Sequence, residues 1–455
     1  MGYFLRERAF APAGIPLVFA AGAVAARLLL RAAPPRLHVD VAQPLVVVTT
    51  WGSYGLAFFV IFALAIALAI LALVVALGPG RERGAGLSLP ATLVVATFAL
   101  AAIFAWPVVF SSDVYAYAAY GHIVVHGGDP YLPVARAHHD AFVDAARWQW
   151  GGTSFPPCVY GPAFVGIAAL GVLAGGDRLE PSLWIMRIVA SLAFLGSIAL
   201  LYVLLRGKGY RRFAIAAYGL NPIALWSVAE GHNDALLVLL LFAAFAMLRR
   251  GWPRASGALF GLAPLLKIIG AAAGPLTLLW LWGKRDVRSR PFALALAAGL
   301  VVAAALVLPL QLKLLGAFAG QARYAPQFSL QSLIGIVPAL VVIVAAAVGG
   351  VRTLARGDAS GALWLAIAGW LAIPNPYPWY ALWLLPVAVA FPPSRATIAL
   401  WAATIFAGLR YLPEAFGNMP HLATAILTLA LLAPIAFAIP ARVNASVRVK
   451  ATPAL

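Results

Sequence analysis

Hydrophobic and polar positions divide the chain into long apolar runs separated by short arginine- or glycine-rich stretches. The runs recur from end to end and are roughly 20 residues long, the length that a bilayer core requires of a helix. The period-two alternation of transmembrane barrels is absent. The pattern predicts an all-α, polytopic membrane protein of about 13–15 helical segments. By hydropathy the candidate spans are 9–30, 45–77, 87–110, 183–205, 212–229, 233–249, 255–267, 270–283, 291–312, 329–350, 359–373, 379–391, 394–411 and 421–440.

Two apolar stretches do not fit a single membrane-spanning helix. A crossing at 160–175 would place the following arginine cluster on the wrong side, so we expect this segment to be re-entrant or to lie along the interface. The stretch 255–283 is too long for one helix and is interrupted by Pro264, Gly270 and Pro275. It therefore predicts two short helices, and broken helices often line binding sites.

Charge gives the chain an orientation. It carries 32 Lys and Arg against 14 Asp and Glu, a net charge of +18, with 64% hydrophobic and 10% charged residues. The basic residues cluster in short loops, such as Arg211–Arg212 and Arg249–Arg250, as the positive-inside rule expects, so a nucleic-acid-binding role is rejected. We expect an integral protein of a bacterial plasma membrane with both termini in the cytoplasm. The acidic residues gather on the opposite face, which suggests extracytoplasmic chemistry.

Asp113 opens the longest polar stretch of the chain. A carboxylate at the mouth of a membrane helix is costly unless it has a partner or a function. The residues that follow, 113–125, predict a helix lying on the membrane, with Val114, Ile123 and Val124 dipping into lipid. We interpret the whole chain as one domain, composed of an extracytoplasmic catalytic loop, a middle module and more variable C-terminal helices. These parts are 111–159, 160–290 and 291–455.

Aromatic, acidic and basic residues meet on the outer face. Aromatic rings and carboxylates in one loop suit carbohydrate recognition. Lys and Arg at the same depth suit a lipid-linked phosphate, and a carboxylate can act as a base. The candidates besides Asp113 are Tyr117, Asp129, Tyr131, Tyr160, His232, Asn233, Asp234, Lys267, Arg323, Tyr377, Trp379 and Tyr380.

The order of short motifs resembles a known family. These motifs are Asp-Val-Tyr-Ala-Tyr at 113–117 with Gly121, Gly-Asp-Pro-Tyr at 128–131, Tyr-Gly-Pro at 160–162, Asn-Pro at 221–222, Gly-His-Asn-Asp-Ala-Leu at 231–236, Gly-Leu at 261–262 leading to Lys267, and Pro-Trp-Tyr-Ala-Leu-Trp at 378–383. The set resembles bacterial polyprenyl-phosphate-mannose-dependent mannosyltransferases, which are membrane glycosyltransferases of the GT-C superfamily. Relatives often carry His where this chain has Tyr377 and Asn where it has Asp129, and both differences could alter sugar or acceptor choice.

The resemblance implies a reaction. A sugar, mannose by analogy, passes from a polyprenyl monophosphate to an acceptor hydroxyl on a glycan or glycolipid outside the cytoplasm. Asp113 is then the general base, and Lys267 and Arg323 stabilise the departing phosphate. Protein cations suffice for a monophosphate donor, so we expect no cofactor and no metal. The loop residues His138, His139, Asp140 and Asp144 are of metal-binding type, but we favour a solvated loop face.

The same residues could instead have purely structural roles. Asp113 could cap the helix that follows, and Asp129 could shape a turn before Pro130. Lys267 could extend its ammonium group from a packed helix towards the interface. As whole-chain alternatives, a lipid or solute transporter would need ionisable residues midway through spans, and a lipid-linked-glycan ligase would differ in its diphosphate donor.

Overall fold

The structure is a computed structural model. The regular elements of the residues it describes are helices, and an isolated bridge joins Val134 and Phe155. It describes residues 11–32, 52–77, 87–109, 111–134, 139–149, 155–310, 313, 315–317, 325–411 and 421–438. The all-α prediction is confirmed. The α-helices are α1 (Gly14–Ala32), α2 (Gly52–Leu77), α3 (Leu89–Phe104), α4 (Asp113–Val125), α5 (Ala141–Gln149), α6 (Pro162–Ala174), α7 (Leu179–Leu204), α8 (Arg211–Gly219), α9 (Pro222–Ala229), α10 (Asp234–Arg249), α11 (Pro253–Leu262), α12 (Ala273–Gly283), α13 (Ser289–Val307), α14 (Leu330–Ile334), α15 (Ile336–Ala355), α16 (Gly361–Ala372), α17 (Ala381–Ala390), α18 (Arg395–Phe406) and α19 (His421–Ala438).

Local sequence explains where several helices begin. The Asn221 side chain accepts hydrogen bonds from the N–H groups of Ile223 (3.1 Å) and Ala224 (3.0 Å), and Pro222 occupies the first helical position of α9. An Asn cap followed by Pro satisfies or removes amide groups that a helix start leaves without partners. Ser394 forms a reciprocal capping box at the start of α18. Such signals fix the points at which apolar runs are divided into separate helices.

Six described helices are long and apolar enough to cross a membrane, and the count reaches seven if α9 and α10 form one broken span. Those six are 14–32, 57–77, 179–204, 289–307, 336–355 and 421–438. Helices α9 and α10 meet at a bend of 113°. The break falls at 230–233, so polar residues lie inside an otherwise apolar region, where irregular backbone is tolerated only when it is enclosed by protein or lines a cavity.

Both exceptional apolar stretches form short helices. Helix α6 has 13 residues, about 20 Å of rise, which is less than the hydrocarbon thickness of a bilayer. This length agrees with the expectation that 160–175 does not cross alone. The stretch 255–283 divides into α11 and α12, joined by 3-10 turns at 263–265 and 268–272. The prediction of two short helices there is confirmed.

Helix α4 has the predicted bounds but different surroundings. Val114, expected to dip into lipid, is 1% exposed, and every residue from there to Gly121 is buried. The helix packs against α5, α6 and α7, and no more than a Gly fits at 121, because a Cβ there would lie 2.5 Å from the Ala168 backbone. Protein therefore covers the apolar face of this helix at Val114, which places Asp113 at the edge of a packed core.

Candidate active site

Asp113 is the first residue of α4 and is held by short-range hydrogen bonds. Its N–H donates to Ser111 Oγ at 3.0 Å, and the Tyr117 hydroxyl, one turn later, donates to Asp113 Oδ2 at 3.4 Å. The carboxylate side chain remains 24% exposed. Burial raises the pKa of Asp113 above its ordinary value, although the Ser111 hydroxyl group and the Lys267 charge oppose that rise. A raised pKa makes the carboxylate a stronger proton acceptor.

Glu230 fixes the segment that leads to Asp113. Its Oε1 accepts hydrogen bonds from Val109 N–H (2.5 Å) and Trp226 Nε1–H (2.8 Å), and its Oε2 accepts one from Ser111 N–H (3.1 Å). Glu230 is 2% exposed. Sequence reasoning did not select this residue as a site candidate, although an acidic residue within an apolar run is a signal that could have identified it.

Arg187 supplies positive charge behind Glu230. Its Nε–H donates to the Ala229 carbonyl at 2.6 Å, and its guanidinium stacks over Phe104 and Trp184 at 4.6 and 4.7 Å from their ring centres. The charges of Arg187 and Glu230 attract each other. A buried charge needs hydrogen-bond partners, and the hydrogen bond to the Ala229 carbonyl ties Arg187 to the end of α9.

A stack of rings extends from Asp113. His232 Nδ1 lies 3.9 Å from Asp113 Oδ2, and the His232 ring stacks on Trp379 at 4.5 Å. Trp379 stacks in turn on Tyr377 at 4.5 Å, and Arg410 lies 5.0 Å over the Tyr377 ring. Both ring nitrogens of His232 are buried without a hydrogen-bond partner among the described residues. Unsatisfied buried polar atoms of this kind are uncommon and occur where ligands or water bind.

Lys267 is anchored by a buried carboxylate. Its Nζ donates to Asp234 Oδ1 at 2.6 Å and to Asn233 Oδ1 at 3.4 Å. Trp383 Nε1–H donates to the same Asp234 oxygen at 2.5 Å. Asp234 is fully buried, whereas the Lys267 side chain is 15% exposed. An ammonium has three N–H donors, so these two hydrogen bonds leave one donor for a ligand.

Aromatic rings surround the Lys267 ammonium group. Its Nζ lies 5.4 Å from the Tyr160 ring centre, 5.1 Å from that of Trp383 and 6.0 Å from that of Tyr380. Tyr380 and Trp383 also border an apolar groove of about 490 Å³ between α16, α17 and Ile269. A cation therefore lies where a polar centre meets an apolar groove.

The remaining loop candidates form a neighbouring group. The Tyr131 hydroxyl donates to the Tyr160 carbonyl at 3.2 Å, and its N–H donates to Asp129 Oδ1 at 2.9 Å. Asp129 Oδ2 pairs with Lys313. Burial opposes ionisation of Asp129, but the Lys313 and Tyr131 hydrogen bonds outweigh it and lower the pKa of that carboxyl.

The sequence candidates therefore fall into three sets. Arg323 lies outside the described residues. Asp129 and Tyr131 lie beside the centre and reach it through Tyr160. The others form one connected cluster, made of Asp113, Tyr117, Tyr160, His232, Asn233, Asp234, Lys267, Tyr377, Trp379 and Tyr380.

An all-α membrane fold with a carboxylate, a partly buried cation and stacked rings at one centre fits a membrane glycosyltransferase, and comparison with known proteins identifies the family. The sequence profile described as "Alpha-(1->6)-mannopyranosyltransferase, N-terminal domain" matches residues 13–284. The chain is 27% identical over 380 residues to alpha-(1->6)-mannopyranosyltransferase A of Mycobacterium tuberculosis, with 72% of each protein covered. No solved structure is significantly similar.

The chain thus belongs to the alpha-(1->6)-mannopyranosyltransferase family. The resemblance to GT-C membrane mannosyltransferases is confirmed. Family membership supports a glycosyltransferase that acts on a sugar donor and a glycan acceptor, in preference to a transporter.

Proposed function

We propose that this protein transfers a mannosyl group from a polyprenyl monophosphate to a hydroxyl of a glycan or glycolipid on the extracytoplasmic face of the membrane. The observation that carries the proposal is a chain of contacts that runs from the Asp113 carboxylate through Tyr117 and Tyr160 to the Lys267 ammonium. That ammonium lies beside Tyr380 and Trp383, which border the apolar groove. An isoprenoid tail needs such an apolar surface, and its phosphate needs a cation.

In the proposed reaction Asp113 accepts the proton of the acceptor hydroxyl. The acceptor oxygen bonds to the anomeric carbon as the bond from that carbon to the phosphate oxygen breaks, with inversion at the anomeric carbon. The electron pair leaves on the polyprenyl phosphate, whose charge is stabilised by the third N–H of Lys267. His232, whose Nδ1 lies 3.9 Å from Asp113 Oδ2, is our candidate for binding a sugar hydroxyl, since neither ring nitrogen has a hydrogen-bond partner among the described residues.

The test compares three donors with purified enzyme: polyprenyl-phosphate mannose, GDP-mannose and a diphosphate-linked glycan. We expect product from the first alone. Product from GDP-mannose in the absence of the lipid donor would contradict the proposal, and product from the diphosphate would indicate the ligase alternative.

The same assay tests the base. Asp113→Asn should reduce transfer about 10²–10⁴-fold, the usual contribution of a general base. Asp144→Asn is the matched control, because Asp144 lies in the same loop and pairs with Arg147 at 3.1 Å, away from the reaction centre. Wild-type turnover in Asp113→Asn would remove Asp113 from the mechanism.

A further inference from the structure

A second cluster of polar groups lies at the opposite end of α4 from Asp113. His122 and His126 are four residues apart and so share one helix face. Asp177, in the turn between α6 and α7, contacts both histidines. Its Oδ1 lies 2.8 Å from His122 Nδ1, and its Oδ2 lies 2.8 Å from His126 Nε2. One donor atom from each residue lies within 4.8 Å of the other two.

Asp140 faces the ring nitrogen of His122 that does not contact Asp177. Its Oδ1 caps α5 by accepting the N–H groups of Phe142 and Val143, both at 2.8 Å. That capping directs Oδ2 to within 3.4 Å of His122 Nε2. The His122 ring is also held flat against Phe142, with ring centres 4.1 Å apart and planes 7° from parallel.

This arrangement leaves an electrostatic requirement. Each 2.8 Å contact between Asp177 and a histidine ring nitrogen needs either a proton or a metal ion between the two atoms. Two neutral imidazoles and two carboxylates carry two negative charges, which one divalent cation would neutralise.

We propose that His122 Nδ1, His126 Nε2 and the Asp177 carboxylate bind a divalent transition-metal ion of the Zn²⁺ class. Imidazole and carboxylate are suitable ligands for such ions, with metal–ligand distances of about 2.0–2.2 Å. Asp140 acts as the outer carboxylate that orients a metal-binding His through its other ring nitrogen. His126 and Asp177 are 56% and 39% exposed, so the ion has access from solvent.

The metal ion would have a structural role, holding helices together, and would take no part in sugar transfer. His122 lies nine residues after Asp113, about 13 Å along the helix. The ligands join the end of α4 to the α6–α7 turn, and the outer carboxylate adds the start of α5. The bound ion would stabilise the helix that carries Asp113. This proposal departs from the sequence-based expectation that the protein binds no metal, while leaving the reaction centre metal-free.

The test uses the full chain, purified in detergent with a tag that contains no histidine and treated with a chelator. Zn²⁺ and Co²⁺ are then titrated. We expect about one ion per chain, cobalt absorption bands typical of nitrogen and oxygen ligands, and a thermal midpoint that rises with Zn²⁺ concentration, since a ligand that binds the folded state stabilises it. His126→Ala and Asp177→Asn should abolish all three effects.

Two further variants separate metal binding from a plain histidine–carboxylate pair. Asp140→Asn keeps an acceptor for the α5 cap but removes the outer carboxylate, and it should weaken Zn²⁺ binding about 10–100-fold. His139→Ala is the control, because His139 is 76% exposed and contacts Asp144 at 3.5 Å, apart from the cluster; it should bind Zn²⁺ as the wild type does. The proposal is overturned if wild-type protein binds no more Zn²⁺ than His126→Ala, or if His139→Ala loses binding equally.

Discussion

The Glu230 carboxylate accepts the backbone N–H of Ser111 at 3.1 Å, although the two residues lie 119 positions apart in the chain. Its other oxygen accepts the Val109 N–H. The turn between α9 and α10 therefore holds the backbone just before Asp113. The residue that fixes the backbone leading into α4 is thus Glu230, which lies between α9 and α10.

Glu230→Gln tests this positioning role. The amide keeps one acceptor but turns an N–H₂ group towards a backbone N–H, so we expect a loss of about 1–3 kcal/mol in unfolding free energy. The rate of sugar transfer should fall as well, because Asp113 is displaced, while the pH at which the acid limb of the rate profile bends should change little. Denaturant unfolding in micelles and the transfer assay measure the two effects. Wild-type values in both would contradict the role.

The raised pKa of Asp113 gives a pH dependence with a definite sign. A general base acts only when ionised, so kcat/KM should fall as the pH drops through the Asp113 pKa. Because burial raises that pKa, the acid limb should lie above 3.8, the ordinary aspartate value. The measurement is kcat/KM for transfer across the acid range.

Lys267→Gln tests whether the Lys267 charge affects the pKa of Asp113. Removing the ammonium removes a charge that lowers the pKa of Asp113, so the acid limb of the residual activity should move to higher pH. Lys284→Gln is the control, since Lys284 stacks on Trp280 away from the centre. An acid limb at the same pH in both variants would show that Lys267 does not act on Asp113.

Sequence reasoning could predict the fold class, the start of α4 at Asp113 and the division of 255–283, because apolar run length and helix-breaking residues are local signals. It could not predict that Val114 packs against protein and not against lipid. A Cβ built on Gly231 would lie only 3.1 Å from the Val114 side chain. An apolar side chain has the same hydropathy in either environment. Tertiary packing decides between them.

The same limit applies to charges. Lys267 was predicted as a phosphate-binding cation, but its pairing with Asp234 depends on where two distant helices meet. Likewise, His122 and Asp177 are 55 positions apart in the chain, and no local motif connects them. Trp383 belongs to the Pro-Trp-Tyr-Ala-Leu-Trp motif, but the motif does not show that its indole N–H donates to Asp234.

Asp234→Asn should be costly because it removes a fully buried counter-charge from the mostly buried Lys267 ammonium. Breaking a buried ion pair by removing one partner costs about 3–5 kcal/mol. Asp286→Asn is a matched control: its pair with Arg288 has the same 2.6 Å separation, but Arg288 is 37% exposed, so its loss should cost no more than about 1 kcal/mol. Denaturant unfolding of both variants provides the comparison, and equal costs would contradict the importance of burial.

Gly121→Ala tests the close packing of α4 on α6. A Cβ at this position would lie 2.5 Å from both the carbonyl carbon and the carbonyl oxygen of Ala168. Backbone atoms cannot rotate away, so the helices must separate. Overpacking of this kind costs about 1–3 kcal/mol. Because α4 carries Asp113, sugar transfer should fall together with stability.

Gly166→Ala is the matched control on α6, since nothing lies within 4 Å of a Cβ built there. Ala is favoured over Gly in a helix by about 1 kcal/mol, so this variant should be as stable as the wild type or more stable, with unchanged transfer. The two substitutions add the same methyl group to two helices in contact. If both were tolerated equally, α4 and α6 would not be in the close contact on which the position of Asp113 depends.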